Sequence, residues 1–145
     1  MIPEPAGPLH LTPAAFDWAL EHAERYGDTV FLPAAFEYQA IRHDWAAVRA
    51  WLVQQDMVRW NPRPARRLLA TKTGFSFRYI TQLDPIEYLA FTALLYEVGP
   101  QLERVRVSAN DRIVFSWRFA LGPNGQMYDP NYEWLEFTQR CEQLA

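Results

Sequence analysis

The chain has 145 residues, half of them hydrophobic and 15% aromatic, which is too apolar for disorder and enough for one packed core. Its single cysteine excludes a disulfide framework and any zinc site built from several thiolates. The net charge of −3 is unevenly spread: Arg59, Arg63, Arg66, Arg67, Lys72 and Arg78 give residues 57–83 a charge of +6 with no acid among them, which leaves −9 elsewhere. A basic block on an acidic chain points to one face meant for an anion, phosphate above all.

Residues 1–12 hold Pro3, Pro5 and Pro8 and read as an extended lead-in without the pattern of a signal peptide. No apolar run approaches the length needed to span a bilayer, so a soluble, cytoplasmic protein without a membrane partner is expected. Residues 13–58 read as helical. Thr12 and Pro13 make an N-cap and first turn, Phe16, Ala19, Leu20 and Ala23 recur at helical spacing, and Gly27 ends the first helix. A second helical region over residues 33–55 breaks at His43 and Asp44, with Asp44 capping a segment whose Trp45, Val48, Trp51 and Leu52 form one core stripe.

Two prolines in Asn61-Pro62-Arg63-Pro64 mark a linker. Residues 59–83 then form a basic hairpin around Lys72-Thr73-Gly74. Period-two alternation sorts Phe75, Phe77 and Tyr79 onto one face, expected to be the inner one, and Ser76, Arg78 and Ile80 onto the other. Asp84-Pro85-Ile86-Glu87 is a strong helix start, with Asp84 as N-cap and Glu87 where a capping box places its reciprocal acceptor. The helix over residues 84–104 is expected to be buried on most sides, its apolar part stopping at Gly99 and Pro100 before a short continuation. Residues 105–122, centred on RIVFSWRF, read as a strand, Gly122-Pro123-Asn124-Gly125 as a turn, and residues 130–145 as an amphipathic helix with Trp134, Leu135, Thr138, Cys141 and Leu144 on one side. The expected class is α+β, one domain of helices packed around a small antiparallel hairpin.

Neither phosphate-binding glycine loop occurs. His10, His22 and His43 lack metal-ligand spacing, Cys141 reads as a buried thiol without an activating partner, and Asp28, Asp44, Asp84, Glu87, Asp111 and Asp129 are accounted for by caps and turns. No catalytic residue is therefore assigned. What remains is the hairpin, where Lys72 and Arg78 would converge on a phosphate group if both leave the same face, with Arg63, Arg66 and Arg67 extending the positive surface.

The run KTGFSFRYITQLDPIEYLAFTALLYEVGPQLE, followed by DRIVFSWRF, resembles the N-terminal fingers region of bacterial reverse transcriptases, the lineage of group II intron, retron and phage-defence enzymes. The resemblance covers roughly residues 66–119 and rests on an ordered series of loose motifs: Lys72, Arg78, the helix over 86–98, the turn at 100–103, and Phe115-Ser116-Trp117-Arg118. It implies that Lys72 and Arg78 face the incoming nucleotide's phosphates or the template backbone, and that Arg118 lies near template or primer. The implied partners are an RNA or DNA template-primer, the nucleotide, and a palm region or partner chain.

Such polymerases hold their metal ions on palm aspartates, one after a strand and two in a Tyr-x-Asp-Asp turn. Neither motif occurs here, and the chain stops about where the first palm strand is expected. The resemblance thus implies a fragment or truncated relative that does not polymerise alone and has no cofactor of its own, magnesium belonging to the absent palm. An alternative of a different class is a protein-interaction or accessory module of a defence or toxin system, suggested by the six tryptophans.

Overall fold

The structure, a computed structural model, describes residues 7–27, 35–72, 74, 76–111, 113, 117–132 and 134–144. The fold is α+β. The helices are α1 (Pro13–Tyr26), α2 (Glu37–His43), α3 (Trp45–Val53), α4 (Pro85–Val105) and α5 (Trp134–Leu144), with the antiparallel strands β1 (Arg66–Thr71) and β2 (Phe77–Gln82) between α3 and α4.

The core is helical. Phe16, Ala19, Leu20 and Ala23 bury the expected face of α1 against α4, whose Leu89 and Ala93 meet it, while Leu52 of α3 and Tyr38 of α2 close the remaining sides. The described part of the lead-in is tied down at two points. Leu9 donates its backbone N–H to Asp56 at 2.9 Å, and Thr12 caps α1 by accepting from Ala15 at 3.2 Å. At the other end of α1, Gly27 takes φ 70°, which only glycine adopts without cost, and its carbonyl accepts the Tyr88 hydroxyl of α4 at 2.9 Å.

The break between α2 and α3 falls at Asp44, but its side chain makes no cap bond. Trp51 leaves the expected core stripe: it is half exposed and meets Trp60 edge to face at 5.8 Å. That places it at the rim, where the chain turns toward the hairpin.

Helix α4 differs most from expectation. It starts as predicted, with Asp84 accepting from Ile86 at 3.2 Å, but it runs through Gly99 and Pro100 to Val105. Pro100 removes one helical N–H without ending the helix. Gly99 serves packing, because a Cβ there would lie 2.2 Å from the ring of Phe119. Nor is α4 buried on most sides, since Phe91, Leu102 and Val105 are exposed. Among its buried positions, Leu89, Thr92, Ala93 and Gly99 form one stripe.

The strand expected over residues 105–122 is not continuous among the described residues. Val105 ends α4, a 3-10 turn covers Ala109–Asp111, and Phe119 pairs with Tyr128 in an isolated bridge. Residues 112 and 114–116 lie outside the described set. The turn at Pro123 to Gly125 docks on α1, with Gly122 accepting from the Trp18 indole at 3.2 Å and Gly125 bonded to His22 at 2.6 Å.

Helix α5 begins at Trp134, later than expected, and packs extensively on no other element among the described residues. Trp134 and Leu135 are exposed, and so is Cys141, which corrects the expectation of a buried thiol. An amphipathic pattern requires an apolar side but does not supply its partner. No described helix is long and apolar enough to cross a membrane.

Candidate nucleic-acid interface

The strands pair in register from Arg66 with Gln82 to Thr71 with Phe77, and Lys72 extends the ladder by donating its N–H to Ser76 at 2.8 Å. Residues directly opposite share a face. One face therefore holds Arg66 with Gln82, Leu68 with Ile80, Ala70 with Arg78, and Lys72 with Ser76. The other holds Arg67 with Thr81, Leu69 with Tyr79, and Thr71 with Phe77.

The alternation predicted for FSFRYI holds for the described residues, but its two faces are exchanged. Ile80 is buried and Arg78 half-buried, whereas Phe77 is 63% and Tyr79 82% exposed. Periodicity states which side chains travel together and leaves open which set meets the core. Here the aliphatic pair Leu68 and Ile80 takes the inner side. The stem of Arg66 adds to it, covering apolar surface while its head reaches Glu37 of α2 and the N-cap Asp84. Phe75 and Thr73 lie outside the described residues.

The strands contact each other far more than either contacts a helix. The hairpin is thus a ribbon standing off the helical body, held at its base. There Arg63 pairs with Asp84 at 3.2 Å, and Arg66 reaches Glu37 at 3.7 Å and Asp84 at 3.8 Å. The N-cap of α4 thereby doubles as the anchor of the hairpin.

Two site residues found by sequence, Arg67 and Lys72, are exposed and make no ion pair with any described residue. Lys72 and Arg78 share a face by register, which is the condition for their acting on one phosphate. Arg118 is elsewhere. It is buried between α4 and the chain leading to Phe119, ion-paired with Glu103 and donating to the Val107 carbonyl at 2.7 Å. Its guanidinium braces the region after α4, and the structure does not bring it together with the hairpin cations.

Sequence reading also missed the joint beneath the hairpin. Glu87 does not complete a capping box. It is buried, and its carboxylate accepts the indole N–H of Trp60 and, at 3.1 Å, the backbone N–H of Arg63. Trp60 and Glu87 form a common wall between two surface clefts of about 300 and 430 Å³, the first lined mainly by apolar side chains including Met57, Phe91 and Leu94. The sequence did not mark this joint, because the capping pattern already accounted for Glu87 locally. Among the described residues, no three histidine, cysteine or acidic side chains are grouped so as to hold a metal ion.

Comparison with known proteins finds no matching family model, no matching curated protein and no matching solved structure.

Proposed function

We propose that the chain is a nucleic-acid-binding module whose contact surface is the projecting basic hairpin, and that it forms the fingers-type portion of a reverse-transcriptase-like protein. The observation that carries this reading is the pair Arg67 and Lys72, two exposed cations that make no ion pair with any described residue, on a ribbon without acids. A phosphate neutralised by such a cation releases condensed counterions, so affinity is set by salt. Lys72 and Arg78, on one face, are assigned to the phosphates of a nucleotide or template strand. Catalysis and magnesium belong in this reading to a palm outside the chain, and the setting is cytoplasmic.

Titrating the purified chain with a labelled primer-template duplex across salt concentrations tests it. Binding that weakens linearly in log salt, with the slope reduced by Arg67→Ala and Lys72→Ala, supports the proposal. Absence of binding at low salt, or binding indifferent to salt, overturns it.

A second reading, an accessory module that binds a protein, is favoured by α5, where Trp134, Leu135 and Phe137 are exposed on a helix that packs extensively on no other element among the described residues. Loss of function on Trp134→Ala, with Arg67→Ala and Lys72→Ala silent, selects that reading.

A further inference from the structure

We infer that the outward face of the hairpin is a stacking platform for the unpaired bases of single-stranded nucleic acid, with Phe77 and Tyr79 as its two ring positions. This deepens the nucleic-acid reading above and rests on it. The two rings sit at alternate positions of β2 on the side turned away from the helices, and Leu69 lies beside Tyr79 across the ladder. Such exposure is unusual for aromatic residues on a sheet, which ordinarily pack against a facing layer.

Alternate positions on a strand are about 6.6 Å apart, roughly twice the about 3.4 Å rise of stacked bases. Two rings so spaced serve successive nucleotides only when these are pulled out of their mutual stack, as a single strand allows and a duplex does not. The surroundings select the same ligand. Arg67 closes one end of the face, opposite Thr81, Lys72 stands beside its turn, and residues 57–83 contain no acid. A ligand matching both features carries flat apolar surfaces on a polyanionic backbone, the combination that aromatic residues in a basic groove recognise. A duplex hides its bases and is left with the cations alone.

The test uses the full chain and fluorescence anisotropy with three labelled probes: an oligothymidine, an abasic oligomer of equal length, and a blunt duplex. The oligothymidine is expected to bind more tightly than the abasic oligomer. The Phe77→Ala/Tyr79→Ala double variant is expected to weaken oligothymidine binding by about 10- to 100-fold while leaving the other two probes unchanged. Tyr79→Phe, which keeps the ring, should retain affinity, and both changes lie at outward positions where folding is insensitive.

Equal affinity for oligothymidine and abasic oligomer, or a double variant that binds like wild type, overturns the platform. If salt-dependent binding persists in that case, the nucleic-acid reading survives without it. Failure of all three probes at low salt overturns both. Self-association of the chain that the double variant abolishes, with probe binding unaffected, assigns the face to a protein contact and also overturns the platform.

Discussion

Glu87 and Trp60 are joined by a buried hydrogen bond from the indole to the carboxylate, and the same carboxylate holds the backbone N–H of Arg63. The third residue of α4 thus fixes the segment that launches the hairpin. Glu87→Ala would strand two donors and is expected to cost about 2–4 kcal/mol, while Glu87→Gln, which keeps an acceptor oxygen, costs about half as much. Urea unfolding of the two variants measures this. A Glu87→Ala chain as stable as wild type removes the carboxylate from this role.

Gly99 lies under the ring of Phe119, where an added Cβ would come within 2.2 Å. Alanine is the better helix former by about 1 kcal/mol, yet Gly99→Ala is expected to destabilise by about 1–3 kcal/mol because the overlap outweighs that propensity. The sign should reverse in a Phe119→Ala background, where the added methyl meets no ring. A double-mutant cycle by thermal or urea unfolding reads the coupling, and additive effects of the two changes would contradict the contact.

Arg118 and Glu103 pair with little exposure, 10% and 18% for their side chains. Glu103 also holds Arg106 at 2.9 Å and the Phe119 N–H at 3.0 Å, so Arg118→Ala removes one of its partners and the bond to Val107 without stranding the acid, and is expected to lose about 1.5–3 kcal/mol. Arg67→Ala and Lys72→Ala, whose side chains pair with no acid among the described residues, should stay within about 0.5 kcal/mol of wild type. The same assay that separates these variants in stability should separate them in the opposite order in nucleic-acid affinity. Equal stability losses from Arg118 and Arg67 would erase the distinction between bracing and contact cations.

The sequence made local chemistry legible and left three-dimensional choices open. Thr12, Gly27 and Asp84 were readable as caps because a cap depends on neighbours a few residues away. The α+β class followed from the order of these local signals. The exchange of the hairpin's faces was not readable, since Leu68 and Ile80 come together only when two strands pair. Gly99 and Pro100 looked like a stop because Phe119, the reason for the glycine, is twenty residues further on. Arg118 looked like a ligand-facing cation for the same reason: its partner Glu103 lies on another element. The basic block itself was legible, but three of its six members, Arg59, Arg63 and Arg66, have acidic partners that no linear count shows.

His22 carries a prediction about pH. It sits on the buried side of α1, stacked on Trp18 with ring centroids 5.5 Å apart and flanked by Tyr26 and Tyr88. Its Nδ1 is bonded to the Gly125 carbonyl at 2.6 Å, so the neutral tautomer protonated at Nδ1 serves as donor. Burial holds its pKa below the usual 6.5, the bond to Gly125 partly opposing the shift. The unfolded chain therefore binds the proton more readily than the folded one. This contribution to stability is fully present above pH 6.5 and is lost as pH falls through 6.5 toward the depressed folded value. Within that window the slope cannot exceed about 1.4 kcal/mol per pH unit for one proton. Replacing His22 with Asn, which keeps a neutral N–H donor, should lower stability at neutral pH and remove this part of the slope below pH 6.5. Carboxylates contribute equally to both proteins and cancel in the difference. Parallel pH–stability curves for wild type and His22→Asn would show that the imidazole is not the group responsible.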